Sequence, residues 1–487
     1  DSQSMLLDGR TMVPLRAICE NVLGKKVSYY DRVIAIADKE ADLAANAGLV
    51  ADVKAKIGEA VKAGSMKELE QVLTAGGRRV YQTEDEAGIG SMKNAADGAG
   101  QSGFAAAEDA ASAAGGIQTA SADGSYSTTN VQVEGIDEAD IVKTDGKYIY
   151  IAGNSVVRIV GADKGKLSDA AAIRLAADKN VREIYADGER LILLGNRSEF
   201  DYVVKGPVNP VLDVAGPETM PPYKTPKTFS FTDVYDISDP LKPVLLKSHE
   251  MEGYYQSSRK NGDIVYLVTN TYPSGIVLPL MRDTAVSSAT VSMKLSDVMI
   301  MPSHPSSGYL VVSAINIKNQ EKTEVEAITA YGATMYMNDS SLYLAFNNYA
   351  GDTSIIRFDL EGMKVGYAGS GEVPGYLLNQ FSMDEYQGNL RVATTVWGRN
   401  VSSNSLYILD PSLNIIGSVE DLAKGETIYS VRFIGDKGYV VTFRTMDPLF
   451  VFDLSDPKKP VLTGELEVPG FSSYLHPVGE NLLLGIG

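Results

Sequence analysis

Two kinds of hydrophobic spacing divide the chain. From about Thr128 onward, apolar residues come in short runs rich in Val, Ile, Leu and Tyr, and Gly, Asn or Asp closes most of them. That is the pattern of short strands joined by tight turns. Before residue 82 the spacing is mixed. Leu15, Ile18, Val22 and Leu23 give a short helix that Gly24 stops, and Lys26 to Ile36 alternates as a strand pair. Val50, Val53, Ile57 and Val61 form one stripe of a helix over 39–62. Ser65-Met66-Lys67-Glu68 has the form of a capping box and predicts a second helix reaching about Leu73. Separating the two zones, residues 87–125 contain 26 Ala, Gly or Ser among 39. Such a stretch buries too little apolar surface to offset its ordering entropy. The expected organisation is a small α+β module over 1–38, a helical segment over 39–81, a flexible linker over 82–127 and a repetitive β domain over 128–487.

The β domain repeats itself. Tyr235-Asp236-Ile237-Ser238-Asp239-Pro240 returns as Phe452-Asp453-Leu454-Ser455-Asp456-Pro457, and Glu372-Val373-Pro374-Gly375-Tyr376 as Glu467-Val468-Pro469-Gly470-Phe471. First strands of successive units fall near Ile141, Ile184, Gln256, Met335, Phe381, Val431 and Tyr474. Their separations are 43, 72, 79, 46, 50 and 43 residues, the two long ones containing Pro-rich insertions at about 198–227 and 271–307. A period of roughly 40–50 residues is that of a four-stranded propeller blade. The fold class expected is mainly β, a β-propeller of at least seven blades. The seventh unit supplies only two strands before Gly487. Since a half-built blade leaves edges open, either further sequence or another segment of this chain must complete it, and further sequence is the favoured expectation.

Composition narrows function more than it defines it. Lys and Arg number 44 against 62 Asp and Glu, a formal charge of −18, which argues against a nucleic-acid backbone or an anionic membrane surface as partner. The apolar runs are too short for a transmembrane helix. One cysteine, Cys19, leaves no internal disulfide and no Cys-based zinc cluster.

Val131-Gln132-Val133-Glu134-Gly135-Ile136-Asp137-Glu138-Ala139-Asp140-Ile141-Val142-Lys143-Thr144-Asp145-Gly146 resembles the opening signature of a family of secreted bacterial proteins with a C-terminal β-propeller domain, as do the Tyr-Asp-Ile-Ser-Asp-Pro unit and Tyr474-Leu475-His476-Pro477. Asp8-Gly9-Arg10-Thr11-Met12-Val13-Pro14-Leu15-Arg16-Ala17 resembles part of the copper amine oxidase-like N-terminal domain. The resemblance implies export and an extracellular or cell-surface setting, and it implies no activity.

A copper oxidase site would need three imidazoles. His249, His304 and His476 lie in different units without ligand spacing, and Asn348-Tyr349-Ala350 lacks the acidic third residue of the quinone motif. His476, on a first strand, is the best single candidate for chemistry, set against a hydrogen-bonded structural histidine. Asp137, Glu138, Asp140 and Asp145 crowd the first unit. Read functionally, Asp137 and Asp140 would suit calcium; read structurally, the cluster is a solvated turn. No other cofactor is predicted. Tyr254, Tyr255, Tyr376 and Phe471 occupy loops entering first strands, where aromatics stack on sugars, anchor peptides or pack on the next blade. Arg259, with Arg399 and Arg432, would add anion-binding character. The binding set is thus Tyr254, Tyr376, Phe471, His476 and Arg259, in a binding or scaffold module for a glycan, peptide or protein partner. The alternative is a hydrolase acting in the propeller channel, which would show a carboxylate or His476 with a shifted pKa and a convergent partner.

Overall fold

The computed structural model describes residues 5–7, 10–12, 19–20, 23–30, 33–42, 45–46, 60–75, 131–202, 224–272, 278–301, 306–348, 351–398, 401–443, 447–468, 472–478 and 482–487. The expected linker, the helix at 15–23 (apart from residues 19, 20 and 23) and most of the stripe over 39–62 lie outside them. Two compact units divide the chain, one holding residues 1–59 and the other essentially everything from Ala60 on.

The first unit is built on two strand pairs. Met5–Leu7 pairs with Arg10–Met12, and Lys26–Tyr30 pairs with Val33–Ala37 as the alternation predicts. Gly24 stands just ahead of the second pair at φ +64, and Lys25 and Asp38 form an ion pair across its open end.

Among the described residues, seven sheets make up the second unit, antiparallel except for one parallel pair in the third. Their first strands are Val142–Thr144, Lys179–Asp187, Tyr254–Asn261, Thr334–Met337, Met383–Tyr386, Thr427–Ile434 and Tyr474–Val478. Five of the seven sequence anchors fall inside these strands; Ile141 and Phe381 stand one and two residues ahead. In the first six sheets each first strand leads a four-strand meander, and the seventh pairs Tyr474–Val478 with Leu482–Ile486. The second strands form the core: Leu191, Ile192, Leu193 and Leu194 are fully buried, as are Leu342 and Leu344. Fourth strands such as Ile415–Leu422 are largely exposed on alternate residues. Apolar side chains of adjacent sheets interlock; Tyr336, Tyr343 and Ile355 of the fourth pack with Leu390, Val392 and Tyr407 of the fifth. Each such burial is worth about 2 kcal/mol.

The second insertion knits two sheets together. Leu280–Asp283 and Ser287–Ser292 extend the outer edge of the second sheet, while Val298–Ile300 lies parallel to Glu324–Ile328 of the third. Val61 and Lys62, placed on a helical stripe by their spacing, form a short strand instead, paired with Met299 and Ile300. The open edge of Val298–Ile300 offers that backbone hydrogen bonds that a helix end would not have. The capped helix does form, over residues 66–75. Ser65 Oγ accepts from the Glu68 N–H at 3.2 Å and Glu68 accepts from the Gly64 N–H at 2.9 Å. Its Leu69 and Leu73 cover Met251, Met281 and Met293 at the seam between the two sheets.

Candidate functional site

In each four-strand meander the first strand begins, and the second ends, at one end of the sheet. That end is called the rim end here, and the opposite one the turn end. At the turn end, Asp and Asn side chains hold the chain. Asp145 accepts from the Lys147 and Tyr148 N–H groups, Asn316 from Lys318 and Asn319, and Asp410 from Ser412 and Asn414. The two copies of the Asp-Pro unit fold alike: Asp236 and Asp453 accept from the N–H two residues on, and so do Asp239 and Asp456. These are Asx turns, as the turn chemistry predicts.

Aromatic side chains gather at the rim end. Tyr254, first residue of its strand, is 55% exposed, and Trp397, last of its strand, is 62% exposed. Tyr272 packs on Tyr331 with centroids 6.3 Å apart, and Tyr429 meets Phe443 edge-on at 5.2 Å. Tyr376 is half-buried, its backbone bridged to Thr395 in both directions. Backbone proximity fixes these loops. Gly253, at φ +123, would place a Cβ 2.6 Å from the Asn270 carbonyl oxygen, and Gly375, at φ +87, 2.6 Å from that of Thr395. Phe471, His304 and Arg399 lie outside the described residues.

The acidic signature does not behave as one solvated turn. Only Asp145 does. Residues 131–140 run across the first strands of other sheets: Ile136 and Asp137 pair with Asn261 and Lys260, and Asp140 bridges Ile184. Gln132 Nε2 donates to the carbonyls of Gln380 and Met383, at 3.0 and 2.9 Å. Asp137 pairs with the buried Lys143 at 2.9 Å, and Asp140 caps the Ile141 N–H. Glu138 accepts from the Gln132 N–H and stands 3.5 Å from Arg259 Nε. Among the described residues, no three His, Cys, Asp or Glu side chains are gathered as metal ligands would be.

Arg259 is therefore tied to the 131–140 segment from the first strand of the third sheet. It is buried, donating to the Ser258 carbonyl and to Gln380 Oε1, both at 2.7 Å. Burial works against its charge, but Glu138 and the nearby Tyr185 and Tyr255 hydroxyls outweigh this and raise its pKa. A second group stands on the fifth, sixth and seventh sheets. The Arg432 guanidinium lies 5.0 Å over the Phe381 ring, Phe381 meets Tyr474 edge-on at 5.9 Å, and Tyr474 lies 6.0 Å from His476. His476 is buried. Close by, Arg391 pairs with Asp384, whose carboxyl is pushed up by burial against that pairing. His249 belongs to neither group; it is enclosed between the second and third sheets, 3.1 Å from Ser313 Oγ, and burial holds its pKa down to about 4. Glu138, Gln132 and Gln380 carry no sequence pattern of their own, so their convergence is spatial.

The model of the beta propeller domain matches residues 126–487. The chain belongs to that family. Among relatives, an uncharacterized protein of Methanocaldococcus jannaschii is 29% identical over 464 residues, covering 76% of this chain and 66% of that one. An uncharacterized protein of Archaeoglobus fulgidus is 30% identical over 448 residues, covering 74% and 67%. The chain thus spans about two thirds of the length of the curated relatives it matches. Among solved structures, a chain of the mitotic checkpoint complex aligns at TM-score 0.29 and 8% identity, covering 70% of this chain and 87% of its own. Hsv2 of Kluyvelomyces marxianus aligns at 0.28 and 10%, covering 68% and 85%. Similarity at that level bears on neither ligand nor activity.

Proposed function

We propose that the chain is a binding module, its seven sheets acting as blades about one axis and its rim end docking a glycan, peptide or protein. The observation that carries this is the set of exposed aromatics at one end: Tyr254, Tyr272, Trp397 and Tyr429 from three different sheets, each at least 37% exposed. Rigid aromatic side chains supply contact area at low entropic cost. An extracellular or cell-surface setting follows from the resemblance of the 131–146 signature to secreted proteins. Binding is favoured over hydrolysis because the two raised carboxyls among the described residues, Asp384 and Glu326, are each paired with a cation, Arg391 and Lys62. The test is a glycan and peptide array followed by titration of the best hit. Trp397→Ala and Tyr254→Ala should each weaken binding about 5- to 30-fold, the span of 1–2 kcal/mol. Both substitutions are at the surface and should change stability by less than about 0.5 kcal/mol. Undiminished binding by both variants would dismiss the rim.

A further inference from the structure

Arg432 is the most poorly satisfied charge in the described residues. It retains 7% of its surface, and no hydrogen bond to its guanidinium is made by any described residue; the buried Nη1 has no partner at all. Phe381 covers one face of the group. The two carboxylates that act on it, Glu138 and Asp384, are engaged elsewhere, by Arg259 and Gln132 in one case and by Arg391 in the other. A buried guanidinium left so is costly, and burial accordingly lowers its pKa. Its neighbours are Tyr474, whose hydroxyl acts on the same charge, and His476 beyond it.

We propose that the corner formed by Arg432, Phe381, Tyr474 and His476 is a binding subsite for a carboxylate, received on the edge of the Arg432 guanidinium, which makes no hydrogen bond to the described residues. The planar fork matches a planar two-oxygen acceptor, and Phe381 leaves the edge rather than the face available. Charge selects further. With Glu138 and Asp384 already beside the arginine, a singly charged carboxylate is tolerated where a phosphate dianion is repelled. The subsite does not depend on the rim aromatics.

Acetate is the probe, titrated into the full chain at constant ionic strength against chloride, with inorganic phosphate in parallel. Acetate should bind and raise the melting temperature, phosphate should do so less, and Arg432→Gln should weaken acetate binding at least tenfold. Arg432→Lys keeps the charge without the fork and should lose most of the affinity too. Because Arg432 satisfies no partner, Arg432→Gln should melt at or above the parent in chloride. Trp397→Ala should bind acetate as the parent does, which separates this subsite from the rim. The proposal is overturned by absent acetate binding, by binding that survives Arg432→Gln, by a preference for phosphate, or by a variant that melts well below the parent, since a structural arginine would then be the answer.

Discussion

The same strand can begin and end on glycines under opposite constraints. Tyr254–Asn261 begins behind Gly253, where a Cβ would lie 2.6 Å from a carbonyl oxygen, and ends at Gly262, at φ +53 with nothing within 4 Å. The loop leading into the fifth sheet and the turn after its first strand repeat the contrast, with Gly375 and Gly388. At the rim end, glycine is required because a loop is pressed against the second strand of the next sheet. At the turn end it is required only by a local left-handed backbone. The rim is thus held by contacts between distant parts of the chain, and this is what leaves its aromatic side chains directed outward. The turn end is held by Asx hydrogen bonds between residues two to four apart. A rigid, tertiary-braced end with exposed rings suits binding; a locally closed end suits only finishing the strands.

Substituting these glycines measures the difference. Gly375→Ala meets both a disfavoured φ, costing about 1–2 kcal/mol, and a backbone collision, so a total near 3 kcal/mol is expected. Urea unfolding would show it as a lower midpoint with an unchanged slope. Gly388→Ala meets open space at φ +79 and should cost about 1 kcal/mol. Equal costs at the two sites would erase the distinction between tertiary and local bracing.

That distinction also governs what could be read from the sequence. The turn end was legible residue by residue, since Asp236, Asp239, Asp453 and Asp456 act on neighbours in the chain. First strands were legible because each follows a glycine or aromatic loop and precedes such a turn. Val61 was misread because its apolar spacing suits a helix, while the free edge of Val298–Ile300 recruits it as a strand. The 131–140 signature was legible as a pattern and not as a position. Nothing in Gln132 or Glu138 says that they will meet Gln380 and Arg259, more than a hundred residues away. Arg432 could be named as a cation, but its lack of a partner is a property of three sheets together.

The smallest effect expected is at the turn end, in acid. Asp453 is exposed, and the Ser455 side chain and N–H, with Lys437 3.1 Å away, hold its carboxyl down to about 2. Asp236, its counterpart in the second sheet, is lowered by Ser238 in the same way. A carboxylate whose folded pKa is depressed stabilises the fold fully above its unfolded value, about 3.9. That contribution disappears as the pH falls from about 4 to 2, because the unfolded chain then takes up the proton first. Asp453→Asn keeps an oxygen for the Ser455 N–H but cannot titrate, so its melting temperature should fall less steeply than the parent's between pH 4 and 2. Above pH 4 the two proteins should run parallel. There the acid sensitivity belongs to His249, whose folded pKa of about 4 removes stability as the pH falls from 6.5 to 4. Raising the salt should shrink the Lys437 share of the difference and spare the hydrogen-bonded share. Identical curves below pH 4 would mean that the turn holds its aspartate by geometry alone, without any preference for the charge.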